Sequence, residues 1–342
     1  MQIITLLQDP AYPNKIVLEK LICAICGWDK TTLFTHYDRK LSDDDYSKIQ
    51  SAYEQVEIHK QPLDYAIGFV TFDHKQFIVS PSTLIPRPET EYMIVAVKDY
   101  LASTNIPHTL LDLGTGCGVL GICAYLAGGE KITHAYLTDV SEDALVVARQ
   151  NVAKHIPDAS NITVLASDMF EHPTLQKLIP PPSQGVSTTL PPFEGGYPAV
   201  LQGGGLLIVA NLPYIPEDLF DNNVDDTVKK REPKFAFVGW ADGLDRYRIM
   251  FDTLNRTLSP LEGEVAEGRR GYNPPAHSIR HPLSERGNIY PDPSPVLFLE
   301  MMTRQVDILR QAYGETWHFE EVQTFHFNIR IVKVRNRQIS HN

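Results

Sequence analysis

Residues 110–118 read LLDLGTGCG, and this stretch decides the fold class. Its apolar beginning, residues 110–113, has the length and composition of a buried strand. Three glycines then alternate with other residues up to Gly118, and an apolar stretch continues from there to Leu126. A strand, a glycine-rich turn and a helix in this order are typical of the first unit of a Rossmann-like sheet that binds a nucleotide-like ligand.

The chain downstream keeps the same alternation of strand and helix. Ser141 is suited to cap a helix that begins at Glu142. Alternating strands and helices predict an α/β fold with a parallel, doubly wound sheet, which binds ligands at the carboxyl ends of its strands. Asp139, Asp168 and Asn211 fall at such ends. The predicted strands are residues 110–113, 135–139, 162–165 and 206–210.

The chain before this sheet divides into two predicted parts. Residues 1–66 form a small helical domain, in which Ser42 caps one of the amphipathic helices. Residues 67–83 alternate around phenylalanines and form a β-hairpin linker with Asp73 and His74 near its turn. Residues 84–342 then make up the sheet domain. Periodicity leaves open whether the helical domain presents a substrate or covers the sheet domain.

Two stretches interrupt the regular units. Residues 179–205 and 259–295 are rich in proline and glycine and have no hydrophobic period. Compact domains rarely contain such long loops, so we expect two surface insertions inside the sheet domain. A substrate lid is the functional alternative, since long loops often carry function.

The composition narrows the classes to which the chain can belong. Its 342 residues are 43% hydrophobic and carry a formal net charge of −11, which repels an extended phosphate backbone on average. No apolar run reaches the roughly 20 residues that span a bilayer. No signal or transit peptide is recognisable at the start. We therefore expect a cytoplasmic protein that binds no membrane and does not bind nucleic acid directly.

Two residue groups have structural interpretations. Cys23 and Cys26 lie among apolar residues at helical spacing, so we expect them to pack as small apolar side chains, and we expect no metal site. A basic group near the end of the sequence is interpreted as the solvated side of a terminal strand. It consists of Arg330, Lys333, Arg335 and Arg337.

The glycine turn and Asp139 together indicate an adenosine-containing cofactor. Asp139 follows the turn by about 20 residues, at the end of the next strand, where a carboxylate can accept both hydroxyls of a ribose. The glycines between Gly114 and Gly118 let the backbone approach the ligand closely. These features leave NAD and S-adenosylmethionine as alternatives.

The fourth strand favours S-adenosylmethionine, because it runs directly into Asn211, Leu212, Pro213 and Tyr214. An amide nitrogen is a poor nucleophile, since its lone pair is delocalised. The Asn211 side-chain oxygen and the Leu212 carbonyl can accept its two N–H bonds and hold it for methyl transfer. Pro213 stiffens the turn, and Tyr214 offers a flat face to a flat group.

Further motifs resemble those of a known family, the HemK/PrmC release-factor glutamine methyltransferases. The most specific motif is LIPRPETE at residues 84–91, preceded by QPLDY at residues 61–65. Arg231-Glu232-Pro233 and the DGLD at residues 242–245 also match the pattern. The resemblance implies a class I S-adenosylmethionine-dependent methyltransferase that modifies the glutamine of the Gly-Gly-Gln motif in peptide-chain release factors. It also implies that the N-terminal helical domain recognises the substrate.

The resemblance assigns roles to individual residues. The candidate catalytic residues, which would hold the glutamine, are Asn211, Leu212, Pro213 and Tyr214. The substrate-binding site wall would contain Pro86, Arg87 and Glu89, beside Glu91. The cofactor would be bound by Gly114, Thr115, Gly116, Cys117, Gly118, Asp139, Asp168, Met169 and Asn211. Leu212 departs from the family's usual proline, and Glu300-Met301-Met302 lacks the family's usual glycine.

Three alternatives remain at this point. Asn-Leu-Pro-Tyr is similar to the motif of rRNA adenine dimethylases, so an adenine N6-methyltransferase acting on RNA or DNA is one of them. A ribosomal-protein glutamine methyltransferase is the second. The third is a binding module that retains cofactor affinity and has lost turnover.

Overall fold

The computed structural model describes residues 1–179, 204–258, 295–325 and 328–337. The two predicted insertions, 179–205 and 259–295, lie outside the described residues except at their ends. Ile179 is buried, and Gly205 and Val296 begin sheet strands. Both segments therefore lead directly into strands of the sheet.

The N-terminal residues form helices that share one hydrophobic cluster. Ser42 caps α4 as predicted, its side chain accepting a hydrogen bond from the Asp45 amide at 3.0 Å. Cys23 and Cys26 lie partly buried against this cluster, in α2. The helices are α1 (Ile3–Gln8), α2 (Lys15–Cys26), α3 (Lys30–Thr35), α4 (Asp43–Glu57) and α5 (Leu63–Ile67).

The predicted hairpin consists of β1 (Phe69–Phe72) and β2 (Lys75–Ile78). Asp73 and His74 make its turn with φ of 45° and 60°, angles that bring antiparallel strands back tightly. Phe72 and Phe77 are buried in a cluster shared with the sheet domain, so the hairpin packs as part of that domain's core.

The described strands of the sheet domain form one seven-stranded sheet in the order β5-β4-β3-β6-β7-β9-β8. The strands are β3 (His108–Leu113), β4 (Ile132–Asp139), β5 (Ile162–Ala166), β6 (Gly205–Ala210), β7 (Val296–Met302), β8 (Trp317–Thr324) and β9 (Ile329–Asn336). The remaining helices are α6 (Glu91–Ser103), α7 (Val119–Gly128), α8 (Glu142–His155), α9 (Pro173–Leu178), α10 (Glu217–Asn223), α11 (Asp226–Arg231), α12 (Asp245–Leu258) and α13 (Thr303–Tyr313).

The sheet is covered on both faces, as a doubly wound fold requires. Successive residues of β6 alternate between two hydrophobic clusters: Leu207 and Val209 belong to one, Leu206 and Ile208 to the other. This alternation follows from the period of two in a strand. The predicted α/β architecture is confirmed, and so is the start of α8 at Glu142.

The prediction of a wholly parallel sheet is corrected at one edge. Strands β3 to β7 pair in parallel, whereas β9 lies between β7 and β8 and pairs antiparallel with both. The short chain between β8 and β9 allows an antiparallel return, because a parallel one would need a long crossover.

Candidate active site

A cavity of about 620 Å³ opens at the carboxyl ends of the parallel strands, where the sequence placed the site. It joins the glycine turn after β3 to the Asn211 turn after β6, so one ligand-sized space touches both predicted motifs. The predicted site residues that line it are Pro86, Gly114, Thr115, Gly116, Cys117, Asp139, Asp168, Met169, Asn211, Leu212 and Pro213. Thr90, Phe235, Trp240 and Arg246 also line it.

The glycine turn needs its glycines for their backbone angles. Gly114, Gly116 and Gly118 have φ of 69°, 55° and 88°, in the left-handed region that a Cβ disfavours. A Cβ on Gly114 would also lie 3.1 Å from the Leu212 side chain. The turn therefore packs directly against the Asn211 turn and leaves its backbone open to a ligand.

Asp112 anchors the glycine turn from below the cavity. Its Oδ2 accepts hydrogen bonds from Thr115 Oγ1 at 2.5 Å and from the Gly121 amide at 2.8 Å. The side chain is fully buried, and burial raises the pKa of its carboxyl to about 7. We assign it a structural role, since both of its protein partners belong to the turn and the helix α7 that follows.

Asp139 lies beside this turn at the end of β4. Its Oδ2 accepts a hydrogen bond from the Gly116 amide at 2.9 Å, and its Oδ1 accepts one from the Ser141 amide at 3.0 Å. Burial raises the pKa of its carboxyl. Because a carboxylate has about four acceptor positions, each oxygen can still accept a ribose hydroxyl. The open glycine backbone and this carboxylate fit an adenosine-containing cofactor.

Asp168 and Met169 occupy the far end of the same cavity. Asp168 forms an ion pair with Arg246 of α12, and the Arg246 guanidinium lies 5.3 Å from the centre of the Trp240 ring. Trp240 has a φ of 64° and is 52% exposed at the cavity mouth. Sequence reasoning missed both Arg246 and Trp240.

The Asn211 turn places its residues at different depths. Asn211 and Pro213 line the cavity, and the Asn211 side-chain amide donates to Thr90 Oγ1 at 3.3 Å. Leu212 is buried, and its carbonyl oxygen lies 3.4 Å from the Tyr247 hydroxyl. Tyr214 is absent from the cavity lining, and its hydroxyl donates to Glu300 Oε1 at 3.1 Å. The flat face predicted for Tyr214 is therefore not presented to this cavity.

Glu300 is a buried carboxylate beside the Asn211 turn, two residues before the end of β7. It accepts a hydrogen bond from Thr90 Oγ1 at 2.8 Å in addition to the one from Tyr214. Burial raises the pKa of its carboxyl, and the hydrogen bonds from Thr90 and Tyr214 oppose that rise. The sequence signal was an acidic residue that ends an apolar strand, and no role was predicted from it.

The LIPRPETE segment forms one wall through its partner Glu232. The buried Glu232 carboxylate accepts a hydrogen bond from the Ile85 amide at 3.2 Å and pairs with Arg87 at 2.8 Å. Three residues of the 84–91 segment line the cavity: Leu84, Pro86 and Thr90. The structure therefore does not bring Arg87 or Glu89 into the cavity. A short 3-10 turn, Pro88–Thr90, then leads into α6, and Pro88 suits the first position of such a turn because its φ is already fixed.

Comparison with known proteins identifies the family. The profile of the methyltransferase small domain matches residues 98–236, and that of the PrmC N-terminal domain matches residues 13–68. A release factor glutamine methyltransferase of Koribacter versatilis is 31% identical over 265 residues, which cover 78% of this chain and 82% of the relative. One of Bacillus anthracis is 30% identical over 246 residues, covering 70% and 74%. The chain belongs to the release factor glutamine methyltransferase family.

Membership in the release factor glutamine methyltransferase family confirms the resemblance and the methyltransferase class predicted from the motifs. The matched profiles cover helices α2 to α5 and the region that carries the glycine turn, Asp139, Asp168 and the Asn211 turn. The roles of individual residues remain predictions, supported by their meeting in one cavity.

Two surface features bear on partners. The basic residues of β9 are engaged by neighbours: Arg330 pairs with Glu321 at 3.1 Å, and Lys333 lies 5.1 Å from the centre of the Tyr100 ring. Among the described residues, no helix is long and apolar enough to cross a membrane.

Proposed function

We propose that this chain transfers the methyl group of S-adenosylmethionine to the side-chain amide nitrogen, N5, of the glutamine in the Gly-Gly-Gln motif of peptide-chain release factors. The observation that carries the proposal is the shared cavity, which joins the glycine turn and Asp139 to Asn211 and Pro213 in a chain of this family. Because both motifs line one space, a donor on the glycine turn can face an acceptor on the Asn211 turn.

In this proposal the cofactor is held by the first half of the cavity. The glycine backbone follows its ribose and amino-acid portion, Asp139 accepts the ribose hydroxyls, and Asp168 and Met169 border the adenine. The bound sulfonium supplies an already activated methyl group, so the chain has to provide alignment and no strong base.

The second half of the cavity aligns the glutamine. Asn211 Oδ1 and the Leu212 carbonyl accept the two N–H bonds of the substrate amide, which fixes the nitrogen in front of the donor. Transfer would break the S–CH3 bond of the donor, form the N–CH3 bond and leave S-adenosylhomocysteine, while the nitrogen gives up one of its two protons to solvent. Pro86 and Thr90 form the opposite wall, and Arg87 supports that wall from outside the cavity through its ion pair with Glu232.

A protein substrate is supported over a nucleic acid by charge. The net charge of −11 opposes binding of a phosphate backbone. The basic residues Arg330 and Arg335 of β9 are paired with Glu321 and Glu320. The competing acceptors are an adenine on RNA or DNA and a glutamine of a ribosomal protein.

The proposal is tested by incubating the chain with methyl-labelled S-adenosylmethionine and one acceptor at a time. The acceptors are purified release factor, release factor whose Gly-Gly-Gln glutamine is changed to alanine, ribosomal proteins, and rRNA. We expect one methyl group on the glutamine of the unchanged release factor and none on the alanine variant. Mass spectrometry that finds the label on adenine or on a ribosomal protein contradicts the proposal.

A further inference from the structure

Asn211 can serve as an acceptor for the substrate only if its side-chain amide faces the right way. The oxygen Oδ1 accepts hydrogen bonds, whereas the NH2 group only donates them. If the NH2 group of Asn211 faced the substrate, the N–H donors of Asn211 would face the N–H donors of the glutamine amide, and no hydrogen bond could form. Some feature of the protein must therefore select one of the two orientations of the Asn211 amide.

The hydroxyl of Thr90 is the nearest partner of that amide. Thr90 is 2% exposed, and its Oγ1 donates its proton to Glu300 Oε2 at 2.8 Å. A hydroxyl has one proton, so the remaining capacity of Oγ1 is to accept. The group that faces it at 3.3 Å must then be a donor, and this is the Asn211 Nδ2 group.

The hydrogen bonds from Asn211 to Thr90 and from Thr90 to Glu300 form a relay. Glu300 sets the direction of this relay. The Glu300 carboxylate is 1% exposed, and as an anion it can only accept. Besides the Thr90 hydroxyl it accepts from the Tyr214 hydroxyl at 3.1 Å. Because the Thr90 proton is used on this buried acceptor, Thr90 can only accept from Asn211, which leaves Asn211 Oδ1 for the cavity.

Glu300 is itself held rigidly. The Tyr247 hydroxyl donates to the Glu300 backbone carbonyl at 2.5 Å, and Tyr247 is fully buried. Gln305 Nε2 donates to the Tyr214 carbonyl at 2.6 Å, while Gln305 Oε1 accepts from the Met302 amide at 2.9 Å. These contacts fix the backbone of Glu300 and of Tyr214, whose hydroxyl donates to the Glu300 carboxylate, so they limit rotation of that carboxylate.

We propose that Glu300 is a positioning residue, which acts through Thr90 to orient the Asn211 amide with its oxygen toward the substrate. Glu300 does not touch the substrate in this arrangement. The inference rests on the proposed function for its substrate, but the orientation of the amide is a property of the protein alone.

The kinetic test compares Glu300→Gln with the parent in methylation of release factor. Glutamine has nearly the same shape and can donate to Thr90, so it removes the fixed direction of the relay. We expect kcat to fall about 10²-fold, the scale for one preorganised polar partner. We expect KM for release factor and the Kd for S-adenosylhomocysteine to change by less than about threefold, because the lost contact acts on the transition state.

A matched control removes a carboxylate elsewhere on the late strands. Glu321 of β8 pairs with Arg310 and Arg330 on the surface and does not line the cavity. Glu321→Gln should retain the parent kcat. If Glu300→Gln folds and keeps a kcat within about threefold of the parent, Glu300 does not position Asn211.

Changes at Thr90 decide the question if Glu300→Gln fails to fold. Thr90→Val keeps the shape and removes the hydroxyl, whereas Thr90→Ser keeps the hydroxyl. We expect Thr90→Val to lose kcat as Glu300→Gln does, and Thr90→Ser to retain it. A packing role for Thr90 would give the opposite ranking, and that result overturns the proposal.

A readout without substrate separates this inference from the proposed function. The ¹⁵N–¹H signals of the Asn211 side-chain amide are identified by their loss in Asn211→Ala. We expect them to shift strongly in Thr90→Val and hardly in Thr90→Ser. If the parent fails to methylate release factor but these shifts occur, the substrate is wrong and the relay stands. Unchanged signals in Thr90→Val overturn the relay.

Discussion

In the proposed complex, Asn211 and Asp139 each divide their hydrogen-bonding capacity between the protein and the ligand. Asn211 uses its NH2 group on Thr90, which would leave its oxygen for the substrate. Asp139 uses one acceptor position of each oxygen on a backbone amide, that of Gly116 or of Ser141. In both cases the protein contact fixes the side chain, so the remaining positions are preorganised for a ligand.

Asn211→Ala should lower kcat about 10²- to 10³-fold, since it removes a preorganised acceptor for the substrate nitrogen. Because the side chain lines a cavity, we expect the thermal midpoint of unfolding to stay close to that of the parent. Labelled methyl transfer to release factor measures the rate. Asn222→Ala, on the exposed face of α10, is the control. Near-normal methylation by Asn211→Ala would contradict the alignment role.

Asp139→Ala should weaken binding of S-adenosylhomocysteine by about 1.5 to 3 kcal/mol, the scale for hydrogen bonds to a charged acceptor. It also releases the Gly116 amide, which loosens the glycine turn. Isothermal calorimetry measures the affinity. Asp158→Ala, at an exposed turn, should bind like the parent. An unchanged affinity for Asp139→Ala would remove Asp139 from the cofactor site.

Leu212→Pro should keep activity and lose stability. The change retains the carbonyl that we assign to the substrate, but it removes a side chain that is 4% exposed and packs near Gly114. Partial loss of a buried leucine costs about 1 to 3 kcal/mol. Urea unfolding measures the stability and methyl transfer measures the activity, both on the same preparation. A large loss of kcat with unchanged stability would mean that Leu212 itself contributes to alignment.

At the scale of elements, two loops interlock to hold the site. The loop after β6 and the loop before α12 pair through an isolated parallel bridge between Ile215 and Val238. Gly243 of the second loop packs against the Tyr214 carbonyl so closely that a Cβ would overlap it. The Asn211 turn is therefore shaped by the 231–245 segment as much as by its own strand.

Gly243→Ala should destabilise the protein far more than Gly27→Ala does. Both glycines have positive φ, 78° and 69°, so alanine is strained at each by about 1 to 2 kcal/mol. A Cβ at Gly27 meets no atom within 4 Å, whereas one at Gly243 meets the Tyr214 carbonyl. We expect about 1 to 3 kcal/mol of additional loss from that overlap. Equal unfolding free energies in urea would show that the loops do not interlock.

Across the whole molecule, the carboxyl edge of the sheet concentrates buried carboxylates. Asp112, Asp139 and Glu300 lie within the last three residues of three parallel strands, and burial raises the pKa of each. A charged carboxylate inside a protein costs free energy that hydrogen bonds only partly offset. The fold therefore accepts a local cost in stability at the edge where the site is built.

Asp112 gives this cost a measurable pH dependence. Its pKa is about 7 in the folded protein, above the 3.8 of an exposed aspartate. The folded state thus holds the proton more tightly, so the stabilisation is full below the unfolded pKa and is lost as pH rises through 7. Between pH 5 and 8, the unfolding free energy should fall by about 2 to 3 kcal/mol more in the parent than in Asp112→Asn. Equal slopes would show that Asp112 does not titrate in this window.

The sequence by itself determined the elements and the placement of the site. The glycine turn, the Ser42 and Ser141 caps and the hairpin turn at Asp73 are short-range features, in which a few neighbouring residues set the backbone angles. The same holds for the family motifs, since each is a contiguous stretch. Because parallel strands bring their ends to one edge, Asp139, Asp168 and Asn211 could be placed together before any contact was known.

Only the tertiary structure decided how the site residues divide their contacts. Thr90, Asn211 and Glu300 meet although the first is 121 positions from the second and 210 from the third. Arg87 reaches Glu232 across 145 positions, which draws it to the wall and away from the cavity. Contacts at such separations leave no period or spacing in the sequence. They arise when packing brings strand ends together and the buried polar groups must find partners.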